Sequence, residues 1–123
     1  MKQIIFQEMT VDELVQRFTV IALDQDRALL RNEYAKFNRL FKEMEAIKHE
    51  LKARAGDQRR ALLSLYDHSN AQVRLKAVKA TLAVEPGSAR RMLELIADSR
   101  EYPQAGEAGM TIDNLDSGVF KPT

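Results

Sequence analysis

The stretch "LLSLYDHSNAQVRLKAVKATLAV", Leu62–Val84, decides the fold. Two apolar helical patterns meet there at a short polar break, "DHSN". Asp and Asn tolerate turn conformations and hydrogen-bond their own backbone, and Asn70 is a favoured N-cap for a helix starting at Ala71. The break therefore predicts a tight turn between two antiparallel helices. Beyond it, Ala77, Ala80 and Val84 fall within about 40° of Val73 at helical pitch. They form a stripe of mostly small side chains. Leu75, Val78 and Leu82 form a second apolar stripe on the opposite side. A helix apolar on two sides is sandwiched between neighbours. Only Gln72, Lys76 and Lys79 share a clear polar stripe, which is expected to be exposed.

Nearer the N-terminus, "MTVDEL" carries a capping box, with Thr10 as N-cap and Glu13 three residues on; Met9 and Leu14 stand at hydrophobic-staple positions. Val11, Leu14, Val15, Phe18, Ile21 and Ala22 continue as a helical stripe, and Asp24 and Asp26 predict a break or a new cap near "LDQD". A long second helix comes next, with Tyr34, Phe37, Phe41, Met44 and Leu51 at alternating steps of three and four; Leu40 and Ile47 widen the stripe. Glu45–His49 and Glu50–Arg54 are spaced for pairing across one turn. Gly56 suits a left-handed cap, and Asp57 caps a third helix holding Ala61, Leu62, Leu65 and Tyr66.

After the Leu62–Val84 stretch, Pro86 and Gly87 stop the fourth helix. A fifth helix points Ala89, Met92, Leu93 and Ile96 inward. A sixth starts at Pro103, where Gly106 and Gly109 weaken it unless close packing compensates. Residues 116–123 are expected to form an extended tail, with Phe120 tucked onto the body. "QIIF", residues 3–6, has strand character but no partner strand. The expected class is all-α, stacked antiparallel hairpins of about six helices, in one domain over 1–123. Its parts are long helices over 10–55, a hairpin over 57–85, a degenerate hairpin over 88–115 and the tail.

The 123 residues are 45% hydrophobic and 30% charged, without cysteine. That composition fits one modest globular domain and excludes disulfides and thiolate metal sites. No apolar run approaches a membrane span, and the N-terminal segment is too short and polar for a signal peptide. A cytoplasmic protein without membrane contact is expected. Net charge is only +1, but residues 1–26 carry −3, residues 27–91 carry +8 from 15 basic and 7 acidic side chains, and residues 92–123 carry −4. Either the acidic ends fold back on the basic middle or the middle faces an anionic partner.

Catalytic chemistry finds little support. His68 lies in a turn beside Asp67 and His49 on a polar helix side, and neither has a visible third partner. The two histidines lack metal-ligand spacing. Asp113 with Asp116, and more loosely Glu43, Glu50 and Asp57, could hold a cation, but surface acids near helix ends are ordinary. "GEAG", Gly106–Gly109, matches a nucleic-acid backbone clamp only in a fold with strands, so close helix packing is the expected reading. The basic set is the stronger feature. Arg59, Arg60, Lys76, Lys79, Arg90 and Arg91, with Gln72 on the polar stripe, are the expected partner-binding residues. The aromatics fall mainly on apolar stripes, which argues against single-strand binding and leaves backbone-only contact open.

The pattern of Leu62–Val84, with Asp67 in the turn, then Val73–Arg74 and small residues at Ala77 and Ala80, resembles a HEAT repeat. The resemblance implies that Asp67 and Arg74 hold the inter-hairpin turn, beside the cap at Asn70. With "VDELVQRF", "KFNRLFKEMEAIKHELKAR", "LYDHSNAQVRLKAVKATLAV" and "YPQAGEAGMTIDNLDSG", nearly the whole chain resembles a bacterial family, domain of unknown function 2019. Proteins of this type look like helical-repeat immunity proteins of toxin systems, an analogy at fold level. The expectation is a non-catalytic module, without cofactor or metal, that docks a protein with an acidic surface, such as a toxin. The alternative is a nucleic-acid binder using the same cations. Helix two's stripe leaves monomer and homodimer both open.

Overall fold

The computed structural model describes residues 5–123. Among them the chain forms five α-helices and two 3-10 segments and no strand, so the class is all-α. Of the strand-like "QIIF", Gln3 and Ile4 lie outside the described residues, as does Lys2; Phe6 opens a 3-10 turn, Phe6–Glu8. Two compact units are present, Met1–Ala61 and Leu62–Thr123.

In the first unit, α1 (Val11–Leu30) and α2 (Tyr34–Ala53) pack as a hairpin. The capping box forms as expected: Thr10 Oγ1 accepts from the Glu13 amide at 3.1 Å, and the Thr10 amide donates to Glu13 Oε1 at 2.8 Å. Hydrogen bonding from Thr10, its backbone amide first, holds the Glu13 carboxyl below its ordinary range. The expected break at Asp24 and Asp26 does not occur. Leu14, Phe18, Ile21, Ala22, Gln25 and Ala28 form one continuous buried stripe. No Gly or Pro interrupts it, and Asp24 pairs with Arg27 one turn on at 3.1 Å.

The helix stops instead at Asn32, which has φ 56. The Glu33 amide donates to the Ala28 carbonyl at 2.9 Å and the Asn32 amide to the Leu29 carbonyl at 3.3 Å, the paired bonds of a Schellman ending. Asn is the non-glycine residue that most readily accepts that conformation. In α2 only Met44, Ile47 and Leu51 are buried. Each such side chain contributes about 1.5–3 kcal/mol. Arg17 reaches across from α1 to Glu43, with Nε at 2.8 Å. Arg54 bonds Glu50 at 2.8 Å and the carbonyls of Phe6 and Met9 at 3.1 and 2.7 Å, fastening the first 3-10 turn to the end of α2.

Gly56 is left-handed as expected, at φ 77, but it lies three residues past α2, in a turn closed by the Asp57 amide on the Arg54 carbonyl. Asp57 caps the next segment by accepting from the Arg59 amide at 3.2 Å. The third helix is a ten-residue 3-10 segment, Gln58–Asp67, instead of an α-helix. Arg59, Leu62 and Leu65 are its buried positions, at the three-residue step that a 3-10 helix eclipses.

In the second unit, α3 (Ala71–Thr81) is buried almost all round, as its two apolar stripes predict. Leu75, Val78 and Leu82 join Ala89, Leu93 and Ile96 of α4 (Pro86–Asp98) and Ala108 of α5 (Gln104–Ser117) in one core. Pro86 and Gly87 follow the end of α3 and open the next helix; Pro86 is the first residue of α4, where its missing N–H costs nothing. The tail is shorter than expected. Helix α5 runs to Ser117 and ends on left-handed Gly118. Phe120 does tuck in, packing on the core while its amide donates to the Asn114 carbonyl at 3.0 Å. Gly106 and Gly109 make no close approach: a Cβ at Gly109 would meet nothing within 4 Å, and one at Gly106 would meet only Tyr102 Cδ1 at 3.9 Å.

Candidate functional site

The polar stripe of α3 is not an open surface. Gln72 is 2% exposed and accepts at Oε1 from Gln104 Nε2 of α5 at 2.9 Å. Lys76, 8% exposed, and Lys79 both donate to Glu107 Oε2 of α5, at 3.2 and 3.0 Å. Burial opposes ionisation of Glu107, but the two ammonium groups outweigh it and hold the carboxyl below its ordinary range. The expectation of an exposed stripe is corrected here: α5 covers it and supplies the opposite charge.

The arginines divide. Arg59 is buried and donates from Nε and Nη2 to Asp57 at 2.9 and 2.7 Å, so it is withdrawn from any docking surface. Arg60 is exposed. Arg90 forks onto Asp116 at 2.6 and 3.1 Å and lies 3.5 Å from Glu94. The fork holds the Asp116 carboxyl below its ordinary range. This pair walls a cavity of about 410 Å³ whose other lining includes Leu82, Pro86 and Leu115. Arg91 is exposed and bonds Ser88 at 3.3 Å. Acids of the acidic C-terminal third thus neutralise three of the predicted cations.

The inter-hairpin turn is built by Asn70, Arg74 and His68. Asn70 caps α3, its Oδ1 accepting from the Gln72 and Val73 amides at 2.9 and 3.1 Å. Arg74 does hold the turn, donating to the His68 carbonyl at 2.7 Å. Its acidic partner is Glu101, at 2.7 Å, and Asp67 is exposed outside this set. His68 Nδ1 accepts from the Asn70 amide at 3.0 Å, a structural use of the side chain. His49 is exposed on α2. Buried Thr81 donates to the Ala77 carbonyl and meets the Tyr66 hydroxyl at 2.6 Å. Burial pushes the Tyr66 phenol up. Among the described residues no group of three or more His, Cys, Asp or Glu could hold a metal ion, and no helix is long and apolar enough to cross a membrane.

One open surface lies on α2. Tyr34 is 64% and Phe41 45% exposed, although the seven-residue spacing places both on the predicted core stripe. Taking 100° per residue, Tyr34, Phe41, Lys48 and Lys52 share one flank of α2, with Glu45 among them and Lys42 beside it. Lys48 pairs with Glu45 at 2.9 Å. Arg31, Lys36, Arg39, Lys42 and Lys52 form no ion pair among the described residues. The sequence signal for this surface was present: residues 31–42 hold four basic side chains against one acid, Glu33. The aromatic stripe has core spacing, and only burial shows that the core takes Met44, Ile47 and Leu51 and leaves Tyr34 and Phe41 outside.

Comparison with known proteins adds a relative of known structure. The chain is similar to the protein RPA1889 from Rhodopseudomonas palustris CGA009, solved as a crystal structure, at 53% identity and TM-score 0.95, covering 98% of this chain and 100% of that one. No curated protein matches. A family model described as "Domain of unknown function (DUF2019)" matches residues 12–116. That match takes in both helices of the first unit and all three of the second, and the chain belongs to the DUF2019 family.

Proposed function

We propose that this chain is a non-catalytic binding module that docks a protein partner through an acidic surface, and that the docking face is the open flank of α2. One contrast carries the reading. Lys76, Lys79 and Arg90 are satisfied inside the chain, whereas Lys42 and Lys52 form no ion pair among the described residues and belong to the helix that exposes Tyr34 and Phe41. Exposed aromatics flanked by cations supply both apolar anchors and charge complementarity. A toxin held by its active-site face is one partner of this kind, and the absence of cysteine suits a reducing compartment.

The test is recovery of partners on the tagged chain from its own cells at moderate salt, wild type beside Lys42→Glu/Lys52→Glu. The expected result is one stoichiometric protein on the wild type that is lost from the variant, with unchanged thermal melting. Nuclease-sensitive recovery of many unrelated proteins would instead transfer the cations to nucleic-acid binding. Recovery of the same protein on both would remove the α2 flank from the site.

A further inference from the structure

The α2 flank has a shape as well as a charge. From Tyr34 to Lys52 it is continuous helix, about 27 Å long at 1.5 Å per residue. Its two exposed aromatics, Tyr34 and Phe41, lie seven residues apart, and the next position at that step is half-buried Lys48. The companion set three residues on, Phe37, Met44 and Leu51, turns inward, half-buried at Phe37 and buried at the other two. Half of a heptad seam is thus used inside the first unit, and half is left outside.

Resting on the reading of an acidic protein partner, we propose that the element seated on this flank is an acidic amphipathic helix. Its apolar residues, seven apart, pack beside Tyr34 and Phe41, and its carboxylates face Lys42 and Lys52. A helix is the one element whose own repeat matches two anchors two turns apart along a narrow strip of about 27 Å. A β-strand would need an unpaired sheet edge, and the described residues contain no strand. Single-stranded nucleic acid fits less well. Its bases stack on closely successive aromatic platforms, while Tyr34 and Phe41 are about 10.5 Å apart along the axis. Glu45 also projects between Phe41 and Lys52, where a phosphate backbone would run. A carboxylate-bearing helix can step past that acid by setting an apolar or basic residue opposite it.

The experiment is site-specific photo-crosslinking in the protein's own cells, with p-benzoyl-phenylalanine replacing Tyr34 or Phe41, and Leu95 of α4 as the control, since it is 64% exposed on another helix. Thermal melting checks that each variant folds. Adducts from positions 34 and 41 are expected in one Asp- and Glu-rich helical segment of one protein, at sites six to eight residues apart. They are expected to vanish when Lys42→Glu/Lys52→Glu is added, with no such adduct from position 95. Adducts to a second copy of this chain, to nucleic acid, or to an extended or basic segment would overturn the proposal, as would no adduct or the same adducts from position 95. If co-purification still yields an acidic partner that depends on Lys42 and Lys52, the binding-module reading survives and only the helical occupant fails.

Discussion

Gln72 on α3 and Gln104 on α5, 32 residues apart in the chain, share a buried hydrogen bond of 2.9 Å. With Lys76 and Lys79 on Glu107, the bond makes the polar stripe of α3 an internal seam. Glutamine is tolerated there because α5 answers it. A buried amide without such an answer is costly to keep from water.

Gln104→Leu removes the donor and leaves Gln72 Oε1 without it. The expected loss is about 1–3 kcal/mol of unfolding free energy. Gln72→Leu should cost a similar amount. The double variant should cost clearly less than the sum, since two apolar groups can face each other where one apolar group facing an amide cannot. Urea unfolding of the four proteins measures this. Strict additivity would mean the bond contributes nothing.

Legibility in the sequence was a matter of range. The capping box at Thr10 and Glu13 and the cap at Asn70 are bonds between residues two or three apart, so residue type and spacing state them directly. The sandwiched α3 was legible for the same kind of reason: its two apolar stripes lie within twelve residues, Val73–Val84. The acids of α5 that pair with Lys76, Lys79 and Arg90 lie 26 to 31 residues away, and charge spacing along a chain does not say which helix returns to which. The continuity of α1 through Asp24 is not legible in the sequence, because a pair of acids resembles a cap and only the structure shows Gln25 and Ala28 buried. The 3-10 geometry of Gln58–Asp67 was hidden because Leu62, Leu65 and Tyr66 satisfy three- and four-residue steps alike.

Glu107 should make stability depend on acid pH. Its folded carboxyl lies below the ordinary 4.5, burial being outweighed by Lys76 and Lys79. The folded state therefore binds this proton less readily than the unfolded chain. The stabilisation is fully present above the unfolded value and is lost as pH falls through the folded value. Glu107→Gln should melt lower than wild type at pH 7, by about 1 kcal/mol, since the side chain is 39% exposed and solvent screens the pair. The gap should close as pH drops from about 5 toward the folded value. A gap that stays constant down to acid pH would mean that Glu107 contributes packing and no charge.

The glycines of the last helix allow the same substitution to be tested with opposite signs. Gly109 lies inside α5, where a Cβ would meet nothing within 4 Å. Its backbone is helical, so alanine adopts it without strain, while glycine leaves the unfolded chain more freedom to lose. Gly109→Ala should stabilise the protein by about 0.5–1 kcal/mol. Gly118 ends the same helix at φ 79, also with open space around it. There the obstacle is the left-handed backbone alone, and Gly118→Ala should cost about 1–2 kcal/mol. Its neighbour Phe120 depends on that turn to reach the core, so the variant should also expose more apolar surface. Urea unfolding of the two single variants decides the matter. Destabilisation by Gly109→Ala would show that α5 needs a bare backbone at that position for something the open space around it does not reveal.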